Sequence, residues 1–129
     1  MTKRGLTLDS GALIALERGD PRMRHILDRA ERRGIPVALP VSVLAQCWRG
    51  TPRQAQLARY LLSDTEHVEI VDLEQSSALR IGLLAGRSGH CDVVDLHVAV
   101  CARDRGHAVV TSDRQDIAKV DPKLQIIDV

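Results

Sequence analysis

The sequence predicts a single-domain α/β protein, an α/β/α sandwich built on a mostly parallel central sheet of about five strands. Three observations carry this. Short apolar runs alternate with longer amphipathic ones along the whole chain, the order that successive βαβ units impose. The 129 residues suit one domain over 1–129, since a domain takes about 150 residues. A chain of this size buries roughly two-thirds of its unfolded surface, enough for a core without disulfide or zinc staples. No internal repeat or low-complexity segment breaks the alternation. With 44% hydrophobic residues and no Phe, the core must be aliphatic. Trp48 and Tyr60 are the only large aromatics, which excludes an RNA-stacking surface of the aromatic kind.

Each element has a local reason. Leu6 to Asp9 reads as the first strand, and Ser10 opens a helix through Glu17 that Gly19 ends. Asp20-Pro21 supplies an N-cap and a first-turn proline for a second helix, and Gly34 terminates it. Pro36 to Pro40 is a short strand. Val41 to Arg49 has helical spacing with Gly50 as its stop, and Pro52 starts a further helix through about Leu62. Val68 to Leu73 reads as a strand, followed by a helix from about Glu74 to Arg87. In the helix Asp92 to Arg105 the apolar residues lie nearly all round, so it should be largely buried. Ala108 to Thr111 forms the next strand, Asp113 opens a short helix, and Gln125 to Val129 ends the chain as a strand.

The longest uncharged run, Gly34 to Trp48, is broken by Pro36 and Pro40, whereas a membrane-spanning helix wants about 20 apolar residues. Lys3 and Arg4 precede too short an apolar stretch for a signal peptide. Cys47, Cys91 and Cys101 are odd in number and lack a CxxC spacing, which argues against a secreted disulfide framework and for small buried hydrophobes. The expectation is a cytoplasmic chain without a membrane segment. Net charge is +1, unevenly spread: nine arginines between Arg18 and Arg59 face only Asp20, Asp28 and Glu31, while residues 64–129 hold twelve acids against seven bases. An acidic half beside an Arg-rich half suits a metal site flanked by a phosphate-binding surface; solvated helix faces are the plainer reading.

Asp9 ends the first strand, Asp113 follows the Ala108 to Thr111 strand, and Asp92 and Asp95 lie in the first turn of the buried helix. Singly, each is explained as a helix cap, and Asp92-x-x-Asp95 and Asp113-x-x-Asp116 both resemble capping boxes. Together they are harder to dismiss. A parallel sheet collects Asp9, Asp92, Asp95 and Asp113 at one edge, where clustered carboxylates repel unless protons or a cation neutralise them. Mg²⁺ or Mn²⁺ takes oxygen ligands of this kind. Asp92 and Asp95, three apart, should project from one helix face and address one ion.

Leu8-Asp9-Ser10-Gly11-Ala12-Leu13, Leu39-Pro40-Val41-Ser42-Val43-Leu44-Ala45, Asp92-Val93-Val94-Asp95-Leu96-His97-Val98-Ala99 and Val110-Thr111-Ser112-Asp113-Arg114-Gln115-Asp116 resemble, in order and over nearly the whole chain, the motifs of PIN domains, especially VapC-type toxins. The resemblance implies a PIN-like fold and a metal-dependent endoribonuclease, commonly a homodimer, silenced by a small VapB-like antitoxin. It implies Asp9, Asp95 and Asp113 as the principal catalytic and metal-site acids, Asp92 and Asp116 as accessory acids, and the hydroxyls of Ser10 and Ser112 as groups that orient them. One position departs: where the family usually has Glu after the segment ending in Ala45, this chain has Gln46. A Gln carbonyl accepts a metal-bound water but brings no charge, so the site should hold its cation more weakly; Asp92 or Glu17 are the available substitutes.

The implied chemistry is hydrolysis of an RNA phosphodiester by a metal-activated water, with Arg18, Arg22, Arg49 and Arg114 as candidates for positioning phosphates. The main alternative is a PIN-fold protein weakened in catalysis through Gln46 that acts by binding RNA or antitoxin. A zinc site from His90, Cys91, His97 and Cys101 lacks a second close pair. Ser10 lacks the G-x-S-x-G elbow of a hydrolase nucleophile. A phosphoacceptor domain is disfavoured because no single acid stands apart as acceptor.

Overall fold

The computed structural model describes residues 4–63 and 65–129; Lys3 of the leader reading and Asp64 of the acidic tally lie outside them. Five parallel strands form one sheet in the order β3-β2-β1-β4-β5, with β1 Leu6–Leu8, β2 Val37–Pro40, β3 Val68–Val71, β4 Ala108–Thr111 and β5 Ile126–Asp128. Helices cover it as an α/β/α sandwich. They are α1 Ser10–Glu17, α2 Pro21–Arg33, α3 Val41–Cys47, α5 Gln75–Ser88, α6 Val93–Arg105 and α7 Arg114–Val120. A composite helix, α4, spans 52–62. It starts as a 3₁₀ turn at Pro52–Gln54, passes through Ala55–Leu57 and closes as a π-helix at Ala58–Leu62. The single regular helix expected there is therefore wound three ways.

Other boundaries shift for local reasons. The first strand stops at Leu8, because Asp9 turns out of the sheet to cap α1. The helix after β2 ends at Cys47, with Trp48 already extended. The third strand stops at Val71, where its pairing with β2 runs out at Pro40. The last strand is Ile126–Asp128, short of the expected Gln125 to Val129. Gly34 ends α2 as expected, and Gly89 and Gly106 end α5 and α6 in the same left-handed conformation that a Cβ disfavours.

The central strands β1, β2 and β4 are wholly buried and the edge strands only partly, as a sheet covered on both faces requires. The core is aliphatic, built around Leu8, Leu13, Leu16, Leu27, Leu39, Leu57, Val109 and Ile117. In α6 every residue from Leu96 to Ala102 is buried, as its all-round apolar pattern predicts. From β1 the chain winds through β2 to β3, then crosses back to β4 on the other side of β1 and on to β5. The order reverses between β1 and β4, and such a switch point opens a crevice at the strands' carboxyl ends.

Candidate metal centre at the switch point

Asp9 is the first residue beyond β1. Its backbone N–H still donates to the Val110 carbonyl of β4 (3.1 Å), while its side chain turns up to accept the Ala12 N–H (3.1 Å) and cap α1. Only 5% of the residue is exposed. Burial pushes its carboxyl above the ordinary range and nearby Asp95 adds to the rise, against hydrogen bonds from Thr111, Ala12 and Gly11 that favour the ionised form. Thr111, wholly buried at the end of β4, also accepts the Asp113 N–H through Oγ1 (2.9 Å). One hydroxyl thus ties Asp9 to the start of α7. The two loops touch so closely that a Cβ on Gly11 would meet the Ser112 side chain and lie 2.9 Å from its backbone nitrogen. That packing sets Ser112 directly against Gly11, the residue after Ser10.

Asp95 stands in the first turn of α6, half-buried. Its carboxyl is raised by burial, lowered by a hydrogen bond from His90, and raised again by Asp92 and Asp116. The His90 imidazole donates from Nε2 to Asp95 Oδ2 at 2.8 Å. His90 is held in turn by its own N–H donating to Ser88 Oγ (3.2 Å). Asp116, on α7, lies 3.9 Å from Lys119 on its exposed side and faces Asp95 electrostatically on the other.

Asp9 does cap a helix, and it does so from a buried position beyond the end of β1. Asp92 corrects the expectation that it shares a helix face with Asp95. It is the exposed N-cap of α6, and its Oδ1 is committed to the N–H groups of Val94 (2.9 Å) and Asp95 (3.1 Å). Asp113 is likewise exposed and caps α7 by accepting the Asp116 N–H (3.2 Å). Asp95 is thus within electrostatic reach of Asp9, Asp92 and Asp116, with Asp9 the most deeply buried of them, while Asp113 stands at the start of α7. Among the described residues no three His, Cys, Asp or Glu side chains already close round one point.

The donor set is nonetheless of the type a hard divalent cation takes: carboxylate oxygens, a threonine hydroxyl and backbone carbonyls at a strand end. Among the described residues no basic side chain pairs with Asp9, and Asp95 has only His90. Asp9 and Asp95 fit as the groups that would hold such an ion, with Asp116 and Asp113 at the rim.

Gln46 is exposed near the end of α3, one turn beyond Ser42. Its neighbour Cys47 donates to the Ser10 carbonyl (3.8 Å), and burial raises that thiol, with Asp9 and Glu17 adding to the rise against Arg49. Glu17, the other substitute considered, is engaged instead with Arg53 (3.8 Å). Of the arginines, Arg114 is already paired with Asp128 (2.7 Å), and Arg49 donates to the Trp48 carbonyl (2.8 Å). Arg18 and Arg22 are exposed. The zinc constellation does not assemble: His97 bonds Ser42 (2.7 Å), Cys101 lies 4.0 Å from the Thr7 hydroxyl, and His90 serves Asp95. The residues that sequence reasoning missed are Thr111 and His90. Thr111 had a visible signal, a lone hydroxyl closing the apolar run Ala108 to Val110; His90 had none.

The same architecture recurs in solved structures. VapBC2 from Rickettsia felis, bound to a DNA fragment from its promoter, superposes with a TM-score of 0.69 at 18% identity, covering 95% of this chain and 97% of that one. DNA-bound VapBC from Salmonella typhimurium gives 0.69 at 18%, covering 98% of both. FitAcB from Neisseria gonorrhoeae gives 0.62 at 18%, covering 95% and 96%. No curated protein matches the sequence. The PIN domain profile matches residues 6–123. That span runs from β1 to the last residues before β5 and takes in every acid of the crevice, and the chain belongs to the PIN domain family.

Proposed function

We propose that this chain is the toxin nuclease of a VapBC-type pair, an endoribonuclease that depends on Mg²⁺ or Mn²⁺. The observation that carries the reading is a buried carboxylate with no basic partner among the described residues, Asp9, facing the half-buried Asp95 at the sheet's switch point, where Asp95 has only the His90 imidazole beside it. Asp9 and Asp95 would hold the ion, with Asp113 and Asp116 as neighbouring acids and Ser10 and Ser112 as polar groups at the loop contact. A bound divalent ion lowers the pKa of its water and stabilises charge on phosphoryl oxygens. The chain's own residues supply the rest. Thr111 and the Ala12 N–H hold the Asp9 carboxylate in place, and His90 fixes the rotation of Asp95 so that Oδ1 remains free. Exposed arginines such as Arg18 and Arg22 position phosphates without reading bases.

The architecture shared with VapBC and FitAB complexes supports an antitoxin as partner. A second copy of the chain is the other partner, and α5 supports it: Leu79 and Leu83 are 63% and 66% exposed there. No helix among the described residues is long and apolar enough to cross a membrane, and the proposed setting is the cytoplasm.

The test is digestion of single-stranded RNA with and without Mn²⁺ or Mg²⁺, by the wild type and by Asp95→Asn. Metal-dependent cleavage lost in the variant supports the reading. The neutral, exposed Gln46 favours a second reading, a PIN-fold binder of RNA or antitoxin with weakened catalysis. RNA binding with no cleavage under any divalent ion would select it.

A further inference from the structure

Gln54 is 2% exposed, and its amide bonds the backbone of three residues of the preceding turn. Its Oε1 accepts the N–H groups of Arg49 (2.7 Å) and Gly50 (3.1 Å), and its Nε2 donates to the Cys47 carbonyl (2.7 Å). Gly50 closes the turn at φ 67°, in the left-handed region. A buried polar group spent in this way makes the 47–50 turn rigid. What the turn presents is Trp48, in extended backbone and 37% exposed although it is the largest side chain in the protein. The turn sits beside the acid crevice, because Cys47 Sγ reaches the carbonyl of Ser10, the residue after Asp9. Its surroundings are cationic: Arg49 follows in the same turn, and Arg53, 78% exposed, lies one helical step further, held only loosely by Glu17 at 3.8 Å.

We propose that Trp48 is a substrate-binding residue that stacks on one base of a single-stranded RNA next to the cleavage site, with Arg49 and Arg53 taking the flanking phosphates. The proposal rests on the ribonuclease reading above. A flat ring on a residue 37% exposed, carried by a turn whose backbone is fixed by buried hydrogen bonds and followed in the chain by Arg49 and Arg53, fits an anionic ligand with π-faces better than an apolar peptide. It is a single ring, distinct from the row of aromatics that a stacking platform needs and that the composition excludes.

Trp48 is the chain's only tryptophan, so its emission reports this position alone. The experiment titrates the full-length protein, in EDTA to prevent cleavage, with a labelled oligoribonucleotide of about ten residues, reading label anisotropy and tryptophan emission together. Inorganic polyphosphate serves as the base-free competitor. The expected result is emission quenched with the same midpoint as the anisotropy change, and polyphosphate that displaces RNA without quenching. Trp48→Ala should weaken binding about tenfold, and Trp48→Phe, which keeps a ring, by no more than about threefold. RNA bound with unchanged emission would overturn the proposal alone and leave the ring to a protein partner. No RNA bound in either signal would overturn the proposal together with the ribonuclease reading. Should Trp48→Ala fail to fold, the wild-type quench and the Phe variant still decide.

Discussion

Asp9 and Asp121 are buried to nearly the same depth, 5% and 4% exposed, yet their charges are met in opposite ways. Asp121, after α7, accepts from the Arg103 guanidinium at 2.7 and 3.0 Å and from the Lys123 N–H at 3.0 Å. Its charge is neutralised by the scaffold. Asp9 is met only by uncharged donors, and the charge that acts on it is another carboxylate, Asp95. A buried carboxylate paired with arginine holds a fold together. One facing its own kind is kept ionised only if something outside the chain supplies the positive charge.

The comparison can be broken by exchanging the consequences. Asp9→Asn and Asp95→Asn should each reduce RNA cleavage more than about a hundredfold, since even a residue that only supports a metal ligand costs about 10 to 100-fold. Their unfolding free energies should stay within about 1 kcal/mol of wild type, the worth of one helix cap. Asp121→Ala should do the reverse, costing about 2 kcal/mol in denaturant unfolding with cleavage retained; the half-exposed Arg103 can rehydrate, so the loss stays below that of a fully buried pair. Gly11→Ala should damage both properties, because its Cβ has no room against Ser112. Overpacking of this kind costs about 1 to 3 kcal/mol, and the parted loops would separate Asp9 from Thr111.

Smaller effects sharpen the account. Gln46→Glu should tighten Mn²⁺ binding only about fivefold, because position 46 is exposed and charges about 4 Å apart in water-like surroundings exchange about 1 kcal/mol. Equal affinities would put position 46 beyond the ion's reach. At the opposite end of the sheet, His107 is buried against Thr7 (3.1 Å), and burial together with Arg105 holds its imidazole below the ordinary value, against a backbone hydrogen bond at Leu6. The unfolded imidazole therefore takes a proton first, at about pH 6.5. Stability is full above that pH and falls as pH drops below it. Thermal unfolding of wild type and His107→Gln across this range should show a flatter pH dependence in the variant.

The order of strands and helices was legible because residues such as Pro21 and Gly34 punctuate an aliphatic alternation. That Asp9 and Asp113 fall on the same side of the sheet was legible too, since parallel strands send the residues that follow them to one edge. What could not be read was how each acid spends its oxygens. Asp92 and Asp95 are equivalent in spacing, yet one caps the helix in solvent and the other turns inward to His90. That choice depends on where the chain leaves α5 at Ser88 and so places His90, five residues before Asp95, and no periodicity encodes it. Gln54 was illegible for a similar reason: in sequence it is one polar residue among others after Pro52, and only the turn it clips gives it a role. The π-helical end of α4 likewise leaves no mark in the spacing of its apolar residues.

The most direct test of the central claim is calorimetric titration of Mn²⁺ into metal-free wild type, Asp9→Asn and Asp121→Ala. The account predicts a saturable binding event in the wild type, lost in Asp9→Asn and unchanged in Asp121→Ala. Equal binding by wild type and Asp9→Asn, or no binding by the wild type, would contradict it and return Asp9 to the role of a helix cap.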